Sequence, residues 1–589
     1  YYAVEESFIT PFLVPIALRV LGHRNALLVT AGGLGLTRVV EQFVSSAAAD
    51  LVLSMIGTVL FLWFLPILFH SPLGGGGRPG SSTAITLLVG IATDTTIKGA
   101  FGTVDPSWVE GVGSDMVMVI LAAAQWLLLW RIARELPGEE PFQPVARALP
   151  LLALGPALVL ELLLFQNVAQ QTALIKWPQP AVYTWVLAAN LAGIAGAILV
   201  TRWRRPVPWP AQAVLGGLLI LMVVDEQSGI LAAFVVLAGQ IIIGLTFAFI
   251  ATAGMGPNQR LGSAAVVAWT GIGMTLFLVL ILAYYASYDI DLSIPRQALP
   301  PIGAALVAFS LLRSGPVIES RPLQWAPALP SLFLLILPLV SFLTWDDLTA
   351  EEGNGLPIRV MSYNLHQGFD VHGRLGMEAL ARVIEEQDPD IVALHEVSRG
   401  WVINDSVDTL VWLSQRLDML YVWGPATDSA WGNAVLTRLP IRNAENHTMP
   451  NNDDILIDRG FISVEVDVGG GETLRILATH LHSGTDEGVH RIPQIEAMVA
   501  FWNGGDGTVL MGDLNAHPND PEMLLLTESG LVDTFIASGT EGSGFTSESD
   551  NPWQRIDYIW MSSDLKARDF AVHQSLASDH LGIAVTIYR

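Results

Sequence analysis

The 589-residue sequence contains no cysteine, and charged residues make up only 14% of it. The absence of cysteine excludes disulfide bonds, thiolate zinc sites and cysteine nucleophiles. The charged fraction is well below the quarter that is usual for soluble proteins, while 51% of the residues are hydrophobic. This composition predicts that a large part of the chain lies in a membrane.

Apolar runs that approach the width of a bilayer recur along the first part of the chain. They lie near residues 25–40, 51–69, 83–101, 114–132, 147–166, 181–200, 211–225, 230–252, 262–286, 298–313 and 327–344. The runs predict a polytopic α-helical membrane domain of about eleven spans over residues 1–344.

The loops between these runs alternate in charge. Arg19 and Arg24 precede the first run and Arg202 lies in the sixth loop, whereas Asp289 and Asp291 lie in the ninth. Because basic residues favour the cytoplasmic side, the chain is expected to start inside. Eleven crossings would then place the C-terminal part on the outer face of a cell membrane.

One pair of charged residues falls within a predicted span. Asp94 and Lys98 are four residues apart, so they lie on the same helical face and can pair. Charges inside a membrane are costly and often functional. The pair is a candidate polar site of the membrane domain, and a role in helix packing is the alternative.

The part of the chain after the last run is strongly acidic. Residues 346–589 contain 38 Asp and Glu against 14 Lys and Arg. Nucleic-acid binding rests on cationic contacts to phosphates, so this charge balance disfavours a nucleic-acid partner.

The same region contains a series of polar motifs, each at or just after an apolar run. They are Asn364 in SYNLHQG, Glu396 in ALHEV, Asn433 in GNAVLTR, His480 in THLHS, Asp513 and Asn515 in GDLNA, Asp557 in RIDYIW, and Asp579 with His580 in SDH. Carboxylates, amides and imidazoles held at strand ends suit metal-assisted cleavage of phosphate esters. Many strand-like runs with few helical patterns predict two packed sheets flanked by helices over 357–589, after a linker at 345–356.

These motifs, in this order over some 230 residues, resemble those of the endonuclease/exonuclease/phosphatase superfamily. That superfamily includes deoxyribonuclease I, abasic-site endonucleases, inositol-polyphosphate phosphatases and neutral sphingomyelinases. The resemblance implies a four-layered α/β sandwich of the deoxyribonuclease I type. It also implies a phosphoric ester hydrolase or transferase that depends on a divalent metal.

The resemblance assigns the metal and the supporting residues as well. Asn364 and Glu396 would bind Mg²⁺, or else Mn²⁺ or Ca²⁺, through oxygen ligands, and Asp579 would add a second contact. The residues expected to support the site are Asn433, Arg459, Arg491 and Gln494.

The catalytic residues follow from the same resemblance. Asp513 would orient or deprotonate the attacking water, and Asn515 would donate to the phosphoryl oxygens from an extended segment. His580 would lie at the scissile phosphate with Asp557 fixing its tautomer. His480 would also contact the phosphate.

The architecture is similar to the C-terminal half of the yeast GPI-anchor lipid remodelase found through calcofluor-white hypersensitivity. It implies a phosphodiesterase or lipid remodelase that acts on headgroups of phospholipids or glycosylated inositol phospholipids at the outer face. Two alternatives remain open. One is a surface endonuclease that degrades extracellular DNA, and the other is a sensor or transporter for phosphorylated ligands.

Overall fold

The computed structural model describes residues 10–44, 46–70, 80–109, 111–135, 148–201, 207–253, 263–314, 329–343, 345–451, 455–484 and 488–589. The chain divides into two compact units, Tyr1–Thr344 and Trp345–Arg589. We call them the membrane unit and the catalytic unit.

The described part of the membrane unit is helical throughout, as its apolar composition predicts. The α-helices are α1 (Val14–Glu41), α2 (Ala47–His70), α3 (Gly80–Ala100), α4 (Val112–Glu135), α5 (Leu154–Leu160), α6 (Val168–Ile175), α7 (Gln179–Thr201), α8 (Trp209–Val223), α9 (Ile230–Ala253), α10 (Ser263–Ala286), α11 (Leu299–Ser314) and α12 (Ile336–Leu343). Buried leucine, isoleucine and alanine side chains from most of these helices form one continuous core.

The predicted number of about eleven spans is not confirmed. Six described helices are long and apolar enough to cross a membrane, and a bent pair, Leu149–Phe165 with Val168–Ile175, makes a seventh if it is one span. The others fall short for local reasons. Trp209–Val223 has only 15 residues, and the last apolar run divides into a 3₁₀ turn and the eight-residue α12. Arg202, which supports the predicted orientation, lies outside the described residues.

The catalytic unit contains two six-stranded sheets. Its strands are β1 (Ile358–Asn364), β2 (Ile391–Ser398), β3 (Leu420–Asp428), β4 (Trp431–Thr437), β5 (Ile441–Thr448), β6 (Gly460–Gly469), β7 (Glu472–His480), β8 (Thr508–Asp513), β9 (Leu531–Asp533), β10 (Asp557–Ser562), β11 (Lys566–His573) and β12 (Gly582–Tyr588). The strand order is β11-β12-β1-β2-β4-β3 in the first sheet and β5-β6-β7-β8-β10-β9 in the second. Only β1–β2 and β7–β8 pair in parallel among the named pairs.

The two sheets pack face to face around a core of valine, isoleucine and leucine. Val360 and Val585 come from the first sheet, while Val464, Ile476 and Ile559 come from the second. The outer face of the second sheet is covered by α15 (Gly488–Trp502) and α16 (Pro521–Glu528). Two amphipathic helices, α13 (Met377–Gln387) and α14 (Thr409–Leu417), contact strands of the first sheet. The short α17 (Thr534–Ala537) precedes β10. The expected two-sheet α/β sandwich is therefore present.

Strand β5 was not predicted from the sequence. Its residues, IRNAENHT, lack the apolar alternation of a half-buried strand, and six of the eight are exposed. It pairs only with β6, so it forms the edge of the second sheet. Polar and charged side chains are typical of such edges because they discourage pairing with other chains.

The predicted linker 345–356 is only partly free. Glu351 N donates to the Arg438 carbonyl at 2.7 Å, and Gly355 N donates to the Val468 carbonyl at 2.6 Å. Asn354 forms a β-bridge with Gly469. The second half of the segment is therefore part of the catalytic unit, because its backbone is hydrogen-bonded to the strand ends.

A buried ion pair fixes the chain between β2 and α14. Arg399 Nε and Nη2 donate to the two carboxylate oxygens of Asp408 at 2.9 and 2.8 Å, and both side chains are almost fully buried. Removal of one partner leaves an uncompensated charge in the interior. We expect Asp408→Ala to lower the unfolding free energy of the catalytic unit by about 3–5 kcal/mol.

This loss would lower the melting temperature of the unit by roughly 6–20 °C. The measurement is the thermal transition of the catalytic unit in the detergent-solubilised full chain. The control is Arg382→Ala, which breaks the exposed Arg382–Glu378 pair and is expected to change stability by less than about 1 kcal/mol. Equal shifts for both variants would contradict the assigned importance of the buried pair.

Candidate active site

The polar motif residues meet because the strands that hold them end at the same edge of the two sheets. Asn364 is the last residue of β1, His480 of β7 and Asp513 of β8, while Asp557 is the first residue of β10. In the ladder, Asp513 is aligned with both His480 and Asp557. The parallel β7–β8 pair and the antiparallel β8–β10 pair thus bring three motifs into register.

Asp513 is the centre of the site. One of its oxygens accepts from Asn364 Nδ2 at 3.0 Å and lies 3.6 Å from His480 Nε2 and 3.7 Å from His580 Nε2. The other accepts from the backbone N–H of Asn515 at 3.1 Å. Burial, followed by the neighbouring Asp557 carboxylate, raises the pKa of Asp513. A raised pKa suits a carboxylate that takes a proton from water near neutral pH.

His580 and Asp557 form a hydrogen-bonded pair. His580 Nδ1 lies 2.8 Å from Asp557 Oδ2, and both side chains are buried. Burial by itself favours the neutral imidazole, but the carboxylates of Asp557 and Asp513 raise the pKa of His580 well above its usual value. The pair therefore keeps an imidazolium in the site with Nε2 3.7 Å from Asp513, and the proposed role of Asp557 in fixing the tautomer of neutral His580 stays a prediction.

A β-bulge orients Glu396. The β2–β4 register shifts between Leu394 and Val397, and Glu396 has a φ of +53°. A bulge redirects a side chain that a regular strand would place elsewhere. Glu396 Oε1 lies 3.9 Å from His480 Nε2, and Oε2 accepts from the side chain of Gln367. Burial, followed by Asp579, raises the pKa of Glu396.

The side chains of Arg459 and His480 also belong to the site. Burial lowers the pKa of Arg459 to about 10, and its charge is balanced by Glu396 and Asp513. Its Nε and Nη1 have no hydrogen-bond partner, and the guanidinium lies 5.3 Å from the ring centroid of Trp431. Burial and the Arg459 charge lower the pKa of His480 well below its usual value, so His480 is neutral. Arg459 is therefore a cation with free donors beside the carboxylates.

Asn515 differs from its predicted conformation. Its φ is +49°, which is left-handed rather than extended, and Nδ2 donates to the Leu481 carbonyl at 3.1 Å. The GDLNA segment leaves the strand after Asp513, so the alternation of an extended chain no longer applies to it. The assignment of Asn515 as a donor to phosphoryl oxygens stays a prediction.

Asp579 lies at the rim of the site. Its side chain is 40% exposed, and one carboxylate oxygen is 3.8 Å from His366 Nδ1. Its neighbour Ser578 donates to the Asn364 carbonyl at 2.8 Å and thus joins the SDH motif to the end of β1. The proposed metal contact of Asp579 is likewise still a prediction.

The predicted supporting residues act on the backbone around the site. Arg491 Nε donates to Glu522 at 2.6 Å and Nη1 donates to the Gly484 carbonyl at 2.7 Å. Gln494 Oε1 accepts from the backbone N–H of His482 at 3.0 Å. The two side chains therefore hold the segment that follows His480, which is a structural role.

Asn433 reaches the site through His395. Asn433 Oδ1 lies 3.3 Å from His395 Nδ1, and His395 Nε2 lies 3.0 Å from Ser362 Oγ. His395 is completely buried, and burial lowers its pKa to about 4. This chain of side chains connects β4, β2 and β1 beneath the carboxylates.

The low pKa of His395 predicts a loss of stability in acid. The unfolded chain binds a proton near pH 6.5, but folded His395 does so only near pH 4, so stability decreases as the pH falls through this window. We expect wild type to lose about 2–3 kcal/mol more than His395→Gln between pH 7 and pH 4. The measurement is the difference in unfolding free energy at the two pH values. The exposed His372→Gln variant serves as the control and should behave as wild type.

Two residues of the site were not identified from the sequence. Gln367 has a φ of +53° and donates to Glu396 from the turn after β1. Trp431 packs against the ring of His480 at 5.9 Å and lies under Arg459. Gln367 lies within the recognised motif SYNLHQG and Trp431 directly precedes GNAVLTR, and these positions were the signal in the sequence.

The donor set suits a divalent cation. Asp513, Asp557 and His580 offer ligand atoms within 4.8 Å of one another, and the carboxylate of Glu396 lies 3.9 Å from His480 Nε2. The carboxylates of Asp513, Asp557 and Glu396 outnumber the cationic side chains of Arg459 and His580, and oxygen ligands are those that Mg²⁺ and Mn²⁺ prefer. The Asp557–His580 hydrogen bond engages that pair already, and Asp513 lies against both His480 and His580. Glu396 and Asn364 are therefore the side chains that would hold the ion.

Residues 361–580 match the family model described as the Endonuclease/Exonuclease/phosphatase family. Among solved structures, the chain is similar to an endonuclease/exonuclease/phosphatase from Beutenbergia cavernae, with 23% identity over 39% of this chain and 71% of that chain and a TM-score of 0.35. A family protein from Leptotrichia buccalis has 20% identity over 39% and 100%, with a TM-score of 0.34. The human Nocturnin catalytic domain has 23% identity over 39% and 93%, with a TM-score of 0.32.

The family match spans all the motifs from β1 to the SDH segment, and the motif side chains of Asn364, His480 and His580 lie around Asp513. Residues 361–580 are a domain of the endonuclease/exonuclease/phosphatase family.

Proposed function

We propose that the protein is a divalent-metal-dependent phosphodiesterase of the cell membrane that acts on phospholipid or glycosylated inositol-phospholipid headgroups. The observation that carries the proposal is the presence, in one chain, of a phosphoester-cleaving family domain and six helices apolar enough to cross a membrane. A substrate that is itself part of the membrane is the simplest reason to join them.

The connection between the units supports a substrate near the membrane surface. The segment from Glu351 is hydrogen-bonded to the catalytic unit, so only residues 345–350 are free to act as a tether. Six residues span at most about 21 Å when fully extended. A tether of that length confines the catalytic unit to molecules at or close to the lipid headgroups.

The charge of the catalytic unit supports the same class of substrate. Residues 346–589 have a formal balance of −24, which repels a nucleic-acid backbone. Arg459, with two donors that have no partner, supplies a local positive charge within this acidic unit. A single phosphodiester presented by a lipid needs only such a local contact.

Each side chain of the site has a separate role in the proposed cleavage of the phosphodiester. A divalent ion held by Glu396 and Asn364 would offset the negative charge that grows on the phosphoryl oxygens. Asp513 accepts the proton of the attacking water, and the His580 imidazolium donates from Nε2 towards the leaving oxygen or a phosphoryl oxygen. Asp557 holds the orientation of His580, and Arg459 binds a phosphoryl oxygen.

The test uses the purified full chain with two substrates in parallel. Mixed vesicles of phosphatidylcholine, phosphatidylethanolamine and phosphatidylinositol, and separately supercoiled plasmid DNA, are incubated with Mg²⁺ or with a chelator. We expect headgroup release from vesicles that requires Mg²⁺ and is absent in Asp513→Asn, with the plasmid intact. Plasmid cleavage without headgroup release would instead favour a surface endonuclease. No turnover of either would favour a sensor or transporter.

The proposed orientation places the catalytic unit on the outer face of the membrane. It rests on the alternation of loop charges and on the eleven crossings that the apolar runs of the sequence predict. Protease accessibility of the catalytic unit in intact cells tests it, and protection from added protease would overturn it.

A further inference from the structure

A fully buried carboxyl lies at a break in one helix of the membrane unit. Helix α5 passes into a π-helical turn, Glu161–Phe165, and the axis bends by 48° before α6. Glu161 opens this turn with 0% of its surface exposed. Single π turns are frequently found at functional sites, and broken helices inside membranes form ion sites in transporters.

The hydrogen bonds of Glu161 are incomplete. Oε2 accepts from Gln240 Nε2 on α9 at 2.6 Å, whereas Oε1 has no hydrogen-bond partner. Among the described residues, no lysine or arginine forms an ion pair with this carboxyl. An ionised carboxylate without a counter-charge is too costly to keep in such an interior.

A permanent proton on Glu161 does not give both carboxyl oxygens a hydrogen-bond partner. A proton on either oxygen of Glu161 creates a buried O–H donor, and Oε1 lies within hydrogen-bonding distance of no acceptor. Buried donors without acceptors are themselves costly. A cation at Oε1 satisfies both the charge and the free lone pairs.

The amide that orients Glu161 is held by close packing on both sides. A Cβ at Gly239 would lie 2.2 Å from the Phe165 ring, and a Cβ at Gly193 on α7 would lie 2.5 Å from the Gln240 carbonyl oxygen. Only glycine allows these approaches, so α9 is in contact with the π turn on one side and with α7 on the other. The position of Gln240 is therefore determined by backbone packing.

We propose that Glu161, oriented by Gln240, binds a small monovalent cation within the membrane unit. One carboxylate with one neutral amide balances a single positive charge, whereas a divalent ion would leave an uncompensated charge in the interior. The cation is an alkali ion, because a proton at Oε1 would leave a buried O–H donor without an acceptor. This site is separate from the proposed hydrolysis, and its test does not depend on turnover.

The test measures ligand binding in the full chain in detergent. Dicyclohexylcarbodiimide reacts with protonated carboxyls in apolar surroundings, and mass spectrometry of the Glu161 peptide reports the labelling. Equilibrium dialysis with radioactive Na⁺, in choline chloride at constant ionic strength, reports sodium binding directly. Both are performed across roughly pH 5 to 9, a range centred near neutrality and well above the usual pKa of glutamate.

One result would support the site: Na⁺ binds and reduces labelling at fixed pH, while choline does not. Labelling that decreases as the pH rises, with no effect of Na⁺, would show only a titrating carboxyl and would overturn the proposal. Failure to label Glu161 at any pH, together with no bound Na⁺, overturns the proposal.

Variants connect the signal to these two side chains. Glu161→Gln should abolish labelling and sodium binding, whereas the matched Glu226→Gln control, an exposed glutamate after α8, should leave both unchanged. Gln240→Leu retains the carboxyl and removes the donor to Oε2. It should weaken sodium binding, or shift the pH midpoint of labelling, by about tenfold or more, the factor that a hydrogen bond to a charged group contributes. Wild-type behaviour in Gln240→Leu would contradict its orienting role, even if Glu161→Gln does not fold.

Discussion

Asp513→Asn is expected to reduce turnover of the phosphodiester by about 10³-fold, the range seen when a general base is removed. The amide is nearly isosteric with the carboxylate, and its remaining oxygen can keep one of the two hydrogen bonds, that from the Asn515 N–H or that from Asn364, which go to different oxygens of Asp513. What the variant loses is the ability to take a proton, and one negative charge next to His480 and His580. The measurement is the initial rate of headgroup release under saturating substrate.

The control for this prediction is Asp506→Asn, which makes the same chemical change at an exposed position of the same unit. It should retain wild-type activity. The thermal transition of the catalytic unit should be retained in both variants, which separates loss of chemistry from loss of folding. Retention of more than about a tenth of the activity in folded Asp513→Asn would remove Asp513 from the role of base.

His580→Gln is expected to lower turnover by about 10²–10⁴-fold, because the imidazolium that Asp557 and Asp513 stabilise is lost. Asp557→Asn gives a more specific signature. With the neighbouring carboxylate gone, burial dominates and the pKa of His580 falls. Since the protonated form is the active one, activity is lost when the pH rises through this pKa, and the alkaline decline should move to lower pH in the variant.

The pH–rate profiles of wild type and Asp557→Asn show whether His580 acts as a general acid or has only a structural role. A structural role would lower the rate at every pH without moving the decline. A shift to higher pH would contradict the sign of the electrostatic effect. His573→Gln, at a half-buried histidine paired with Glu386 far along β11, is the matched control and should leave the profile unchanged.

The local charge around Arg459 has a consequence for substrate specificity. Arg459 has two unpaired donors, and the carboxylates around it are buried, so the positive potential in the site is local. A ligand with one phosphodiester can satisfy it, while a long polyanion meets the acidic surface of the rest of the unit. This difference is the physical basis for preferring a lipid headgroup over DNA.

The primary structure by itself determined the division into an apolar and an acidic part, the two-sheet sandwich and most of the site. These features are local. Apolar alternation specifies strands such as β6 and β7, and the motifs follow such strands directly. The sequence therefore identified Asn364, His480 and Asp513 as site residues without showing that they lie together. Strand β5 was missed because an edge strand with exposed polar side chains carries no alternation.

Only the tertiary structure decided what depends on contacts between distant segments. The bulge that turns Glu396 inward, the left-handed Asn515 and the contacts of Gln367 and Trp431 arise from pairing between strands, which spacing along the chain does not encode. The same holds in the membrane unit, where apolar runs predicted about eleven spans but six helices of the described residues, or seven with the bent pair, are long and apolar enough to cross a membrane. The environment of Glu161 was decided in the same way, because only folding buries this carboxyl at a helix break, where no lysine or arginine of the described residues pairs with it.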